Sequence, residues 1–335
     1  MDKEKYLKSM KFEGNGEVFC RVSIVYPVWE KYEKQLKEVK RKYPEIKINI
    51  AKNEERRKGN KIKDKWGCLW YYPLDYLDGQ VIEHPLENWE NLKEYKFPSP
   101  DEEIDWKKFE KELKEKKKKG ELLSAGVEHG FLFLRLTYLR GFENFMIDVA
   151  EENPLLYQLR DKVCDYWFEV IKRYVSYGVE IIYFGDDLGL QNSLPISPTS
   201  WRKIVKPAYK KIFSYCRKNN TMVYLHTDGY IVDIIPDLIE CGVSILNPQD
   251  LVNGIENLEK LAKGKVAIDL DIDRQKITVF GKREEIHQHI LKCIKTLGSE
   301  KGGLSLIWGV YPGTPVENII ATVEAMEKYR CYWCS

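Results

Sequence analysis

From Glu121 onward the chain alternates short apolar runs with amphipathic helical stretches, and this alternation limits the folds open to it more than any other feature. Strand-like runs fall at Leu122 to Ala125, Val179 to Phe184, Met222 to His226, Val243 to Asn247, Val266 to Leu270 and Leu304 to Trp308. Helical periodicity covers about Phe142 to Ala150, Pro154 to Tyr177, Ser197 to Cys216, Ile231 to Cys241, Ile255 to Ala262, Lys282 to Leu297 and Pro315 to Tyr329. Apolar strands joined through helices predict a parallel sheet with right-handed crossovers. The number of units in 335 residues favours an α/β fold of the (β/α)8 TIM-barrel type over an open doubly wound sheet. No Gly-x-Gly-x-x-Gly follows any strand, which counts against a dinucleotide site.

Residues 1–335 are expected to form one domain, with the main βα units in residues 121–330. Residues 1–120 read as an irregular, aromatic-rich N-terminal extension, with Trp66, Trp70, Tyr71, Tyr72 and Tyr76 close together. Within it, Trp66 to Val81 is predicted to be a β-hairpin, because Asp78-Gly79 is a strong turn signal.

The apolar fraction of 43% supplies a core, and 32% charged residues supply a soluble surface. A net charge of +2 provides no strong field toward nucleic acid or membranes, and the run Lys116 to Lys119 reads as a solvated helix end. The first ten residues are charged and lack an apolar core, so no secretory signal is expected, and no run is long enough to span a bilayer. Eight cysteines, mostly scattered singly, suit a reducing cytoplasm. Cys331-Tyr-Trp-Cys334 is one isolated Cys-x-x-Cys and reads as a fraying tail.

Chemistry in such a barrel gathers at the C-terminal strand ends, and nearly every predicted strand here ends in ionisable or amide groups. They include Glu128 and His129; Asp186, Asp187 and Gln191; His226 and Asp228; Gln249 and Asp250; Asp269, Asp271, Asp273 and Arg274; and finally Trp308 and Tyr311. In His226-Thr227-Asp228 the outer residues are two apart and share one face if extended. An imidazole beside a carboxylate suits a zinc-like divalent ion, a general acid, or a histidine simply held by its aspartate. Asp186 and Asp187 read either as site carboxylates or as acceptors for backbone amides. Asp269, Asp271 and Asp273 would repel one another unless a cation, Arg274 or shared protons settle them. His287 and His289, on the Lys282 helix, read as surface or packing residues.

The order of these motifs resembles the uroporphyrinogen decarboxylase superfamily. The matching segments are GDDLGLQNSLPISPTSWRKIVKPAYKKIF from Gly185, VYLHTDGYIVDIIPDLIECGVSILNPQ from Val223, the DxDxDRQ strand end from Asp269, and GTPVENIIATVEAM from Gly313. The resemblance as a whole covers about Leu123 to Met326, and Gly185 to Gln249 is its most specific part. The resemblance implies a (β/α)8 barrel with its site at the mouth. The arginine-rich motif with which true uroporphyrinogen decarboxylases grip porphyrinogen carboxylates has no counterpart in the comparable RVSIVYPVWEKYEK, which argues against haem-pathway decarboxylation. Thiol-methylating members hold zinc through His-x-Cys and a later cysteine. Here Asp228 replaces the first cysteine, and no cysteine stands near Trp308. The donor set is therefore harder, built of imidazole and carboxylate.

The resemblance implies a corrinoid-linked methyltransferase or demethylase, moving a methyl group between a small molecule and a corrinoid carried by a partner protein. In that reading His226, Asp187 and Asp271 are the catalytic residues, and His226 with Asp228 would hold a divalent metal such as zinc. Asp186, Gln191, Gln249, Arg274, Trp308 and Tyr311 would bind substrate. A homodimer is a further expectation. The alternatives are a decarboxylase or lyase acting on another carboxylated substrate, and a corrinoid- or tetrapyrrole-binding protein without turnover.

Overall fold

The structure is a computed structural model describing residues 2–334. Its strands are β1 (Phe19–Val25), β2 (Lys47–Ala51), β3 (Lys61–Lys63), β4 (Leu69–Tyr71), β5 (Gln80–Glu83), β6 (Ser124–His129), β7 (Ile181–Gly185), β8 (Met222–Thr227), β9 (Ile245–Pro248), β10 (Ala267–Asp271) and β11 (Leu304–Val310). They belong to two compact units. One contains the residues up to 58, 73–78 and those from 245 onward; the other contains 59–72 and 79–244.

In the first unit five parallel strands run in the order β2-β1-β11-β10-β9. Phe19 lies opposite Ser305, Arg21 opposite Lys47, and Ile268 opposite Leu304. Strands β9 and β10 are buried at every position, as expected for parallel strands with helices on one face and the barrel interior on the other. In the second unit β6, β7 and β8 are parallel, with Ile181 opposite both Ser124 and Met222. The same unit holds the antiparallel sheet β3-β4-β5, and its β4-β5 pair is the hairpin anticipated from Asp78-Gly79. These eight parallel strands among the described residues, interspersed with helices, make up a (β/α)8 TIM-barrel fold.

The long helix Pro154–Ser176 of the second unit shows why the helices form where they do. Leu156, Leu159, Val163, Trp167, Val170 and Tyr174 recur every three or four residues and are all buried. The Asn153 side chain accepts a hydrogen bond from the Leu155 N–H (3.0 Å), and Pro154 occupies the first turn, where its missing donor costs nothing.

Four expectations change. First, the residues before 52 are not irregular, because β1 and β2 are parallel-sheet strands. Their signal was masked: in β1, Arg21 and Ser23 interrupt the apolar run, and Phe19, Arg21 and Ser23 are only partly buried. Second, β6 runs on to His129, so Glu128 and His129 belong to the strand instead of following it. Third, the helix expected from Ser197 is two helices, Pro198–Ile204 and Lys206–Lys218, because Pro207 has no N–H to continue the first. Fourth, the C-terminal Cys-x-x-Cys segment does not fray. The Trp333 indole donates to the Ile294 carbonyl (2.9 Å) and packs over Gly298, where a Cβ would lie 2.7 Å from the ring.

Candidate active site

In the second unit the ends of β6, β7 and β8 deliver His129, Asp187 and His226 to one place. Asp187 lies between the two imidazoles. Its Oδ2 is 3.1 Å from His129 Nε2, and its Oδ1 is 3.8 Å from His226 Nε2. Asp228 Oδ1 is 3.4 Å from the same His226 nitrogen, and the Asp228 backbone N–H donates to Asp187 Oδ1 (3.1 Å). The imidazole rings are 5.7 Å apart at their centroids. All four side chains are partly open to solvent, with His129 half exposed.

Three glycines make this geometry possible. Gly185 ends β7 directly beneath the His129 ring, and a Cβ there would lie 2.6 Å from Nδ1. Gly189 and Gly229 press their backbones together: a Cβ on Gly229, whose φ is +82°, would lie 2.2 Å from the Gly189 carbonyl carbon. The loops bearing Asp187 and Asp228 are locked to each other by that contact, supported by the Leu188 N–H bonding to Thr227 Oγ1 (3.0 Å).

The electrostatics are those of a charge-sharing cluster. Burial alone would raise the Asp187 pKa, but its hydrogen bond to His129, the charges of both imidazoles and the Asp228 N–H outweigh it and hold Asp187 below the usual carboxylate range. For His129, burial would lower the pKa, yet the bond and charge of Asp187 prevail and raise it. Asp187 with His129 is thus biased toward the ion pair.

Asp186 plays a different part from the substrate contact anticipated for it. It is fully buried and accepts from the backbone N–H of Phe133 (2.6 Å) and Leu134 (2.9 Å) and from the Tyr209 hydroxyl (2.8 Å). Burial pushes its pKa up to about 6 despite those donors. Asp186 therefore caps the helix Phe133–Arg140, with no face left for a ligand. Gln191 is exposed in the loop after β7.

A second layer holds Glu128. Arg135, only 3% exposed, bonds Glu128 (3.0 Å) on one side and Asp64 (2.9 Å) on the other. Lys65 Nζ lies 2.8 Å from Glu128, and the Trp66 indole donates to it (3.3 Å). The turn between β3 and β4 thereby anchors the carboxylate next to His129 in sequence.

The other anticipated residues lie in the first unit. Asp271 ends β10, and Arg274 reaches back to it (3.2 Å) while lying over the Tyr311 ring (5.5 Å). Gly309 leaves the space they use, since a Cβ there would lie 2.9 Å from Tyr311. Gln249 is bridged to Asp271 through the backbone. Trp308 is wholly buried within β11. The three neighbouring aspartates are settled separately: Asp269 by Arg21 and Ser305, Asp271 by Arg274, and Asp273 by the N–H groups of residues 275–278.

His129 stands among the strand-end groups read from the sequence but is given no role there, and Arg135 is not singled out. His129 carried a faint signal, a histidine before Gly130 at a strand end; Arg135, within a helix, carried none. The described residues that gather around Asp187 contain two imidazoles and a carboxylate whose donor atoms lie within 4.8 Å of one another. That donor set fits a borderline divalent ion such as zinc, and it equally provides a proton-donating imidazolium stabilised by a carboxylate.

Known proteins agree with the fold and the family. The sequence model "Uroporphyrinogen decarboxylase (URO-D)" matches residues 73–329. A uroporphyrinogen decarboxylase of Prochlorococcus marinus (strain MIT 9211) is 26% identical over 174 residues, which is 50% of this chain and 47% of the relative. One from Geobacter sulfurreducens is 21% identical over 76% of this chain and 74% of its own length. The chain thus spans about half the length of the first curated relatives it matches. Among solved structures, a methyltransferase from Methanosarcina mazei superposes with a TM-score of 0.56 at 19% identity, covering 79% of this chain and 76% of its own. The superposition shows the (β/α)8 fold, and the match over most of the sequence places the chain in the uroporphyrinogen decarboxylase family.

Proposed function

We propose that this chain is an enzyme of methyl transfer, exchanging a methyl group between a small molecule and a corrinoid delivered by a partner protein in the cytoplasm. The observation that supports the reading best is the Asp187 carboxylate set between His129 and His226 at the ends of three successive strands. Breaking a methyl–oxygen bond leaves its electron pair on oxygen, and a positioned acid must meet that charge as it develops. His226, partly exposed and flanked by Asp187 and Asp228, is the donor of that proton, and Asp187 orients the ring and balances its charge. His129 holds Asp187 in place. A divalent ion held by His129, Asp187 and His226 would supply Lewis-acid stabilisation of the same oxygen. Arg274 and Tyr311 form a pair suited to a planar or carboxylated substrate. Asp271 positions Arg274.

The test is to mix the purified protein with cob(I)alamin and a panel of methoxy and methylamine donors. Alkylated cobalamin should appear in the visible spectrum, and His226→Ala should slow its appearance by ~10² to 10⁴. If no donor yields it while carbon dioxide is released from a carboxylated substrate, the chain is instead a carboxy-lyase, the reading suggested by the names of its curated relatives. Tight corrinoid binding without either reaction would mark a carrier without turnover.

A further inference from the structure

The first unit contains a second gathering of imidazole, thiol and carboxylate groups, none of them part of the cluster around Asp187. His289 and Cys293 are four apart on the helix Arg283–Leu297, so they present their side chains on one face, the spacing by which helices offer paired ligands. Opposite them stands Asp250, which follows β9. Its Oδ2 is 2.6 Å from His289 Nε2, and Cys293 Sγ is 3.7 Å from the same nitrogen. Asp250 and Cys293 are wholly buried and His289 is 8% exposed. The carboxylate is further oriented by the backbone N–H of Leu251 (2.5 Å) and Asp273 (3.0 Å), as carboxylate ligands usually are.

A carboxylate and a sulfur thus converge on one ring nitrogen. An imidazole nitrogen has a single in-plane position, either a proton or a lone pair, and cannot serve both partners well. A cation among the three can. For tetrahedral zinc, bond lengths of ~2.3 Å to sulfur and ~2.0 Å to nitrogen put those two ligands about 3.5 Å apart. The sulfur–nitrogen spacing of 3.7 Å already matches, while the carboxylate oxygen at 2.6 Å needs an outward shift of roughly 0.7 Å to reach the ~3.3 Å of a tetrahedral edge. Thiolate with imidazole and carboxylate is a donor set for zinc in preference to calcium or magnesium, which take oxygen ligands.

We infer that Asp250, His289 and Cys293 form a zinc site that staples the helix Arg283–Leu297 to the segment following β9. Binding replaces the thiol proton, which is released to solvent, with a sulfur–zinc bond; the proton between His289 Nε2 and Asp250 moves to Nδ1, freeing the Nε2 lone pair and the carboxylate for zinc, and no oxidant or reductant takes part.

The test separates this site from the one around Asp187, which contains no sulfur. In the full chain, His129→Ala and His226→Ala disable that site, and Cys331→Ser with Cys334→Ser removes the tail thiols. This variant should retain about one zinc per chain, show a thiolate-to-metal charge-transfer band after exchange for cobalt(II), and lose thermal stability to a chelator. Adding Cys293→Ser should abolish the band and reduce zinc retention at least tenfold. A variant with intact Cys293 that holds no zinc overturns the assignment, as does a band that survives Cys293→Ser. Should the Cys293→Ser protein fail to fold, zinc-edge X-ray absorption on the parent variant decides: one sulfur neighbour supports the site, and none overturns it.

Discussion

The ends of β7 and β8 in one unit and of β10 in the other both collect aspartates, yet they neutralise them differently. At β10, Asp269 is fully buried against Arg21, and Asp271 is 5% exposed against Arg274. A guanidinium is charged at every accessible pH, so those counter-charges do not titrate. Around Asp187 the counter-groups are imidazoles, and all of them keep solvent contact. An imidazole gains and loses protons near neutrality. The contrast separates a scaffold of fixed charge from a cluster able to hand over a proton or accept a cation.

The strongest challenge to that contrast is His226→Ala. It should lower the methyl-transfer rate by ~10² to 10⁴, the usual contribution of a positioned acid, while the melting temperature moves little. A collapse in stability with unchanged rate would make His226 a scaffold residue. Arg21→Met probes the opposite end. Leaving Asp269 buried without its cation should cost about 3–5 kcal/mol in denaturant unfolding, and a cost under about 1 kcal/mol would show that the pair is not fixed.

Asp186→Asn comes next. Asparagine keeps one acceptor oxygen where Asp186 uses both, so the loss should be roughly 1–3 kcal/mol. The variant should also flatten the pH dependence of stability. Because the folded pKa of Asp186 lies above its ordinary value of 3.8, the native state binds the proton more tightly, and wild-type stability declines from this group between pH 3.8 and about 6.

The smallest effect concerns the Asp187–His129 pair. Raising the His129 pKa stabilises the fold fully below 6.5, and that contribution disappears as pH rises through the folded value. Lowering the Asp187 pKa stabilises it fully above 3.8, and that contribution disappears as pH falls through the folded value. The melting-temperature gap between wild type and Asp187→Asn should therefore be widest between 3.8 and 6.5 and narrow on both sides. A gap independent of pH would mean that the pair does not titrate as an ion pair.

Much of this architecture is legible in the sequence. The apolar, β-branched and aromatic residues that dominate β7, β8 and β11 read as buried strands, β10 did so despite Asp269 at its centre, and the helices between them carried clear periodicity. β1 was illegible because Arg21 sits in the middle of it, and a strand containing an arginine looks exposed until its partner Asp269 is seen 248 residues away. His226 and Asp228 could be paired from their spacing alone, whereas His129 could not be joined to Asp187, 58 positions distant.

By itself, then, the sequence determined the alternating strands and helices, the family motifs and the concentration of acidic and imidazole groups at strand ends, since these depend on local period and local composition. Only the tertiary structure decided which carboxylate serves which neighbour: Asp186 to a helix terminus, Asp187 to two histidines, Asp250 to His289, and Asp269 to Arg21. The physical reason is that an aspartate's role depends on the charges and donors within a few ångströms, and parallel strands bring those together from distant parts of the chain.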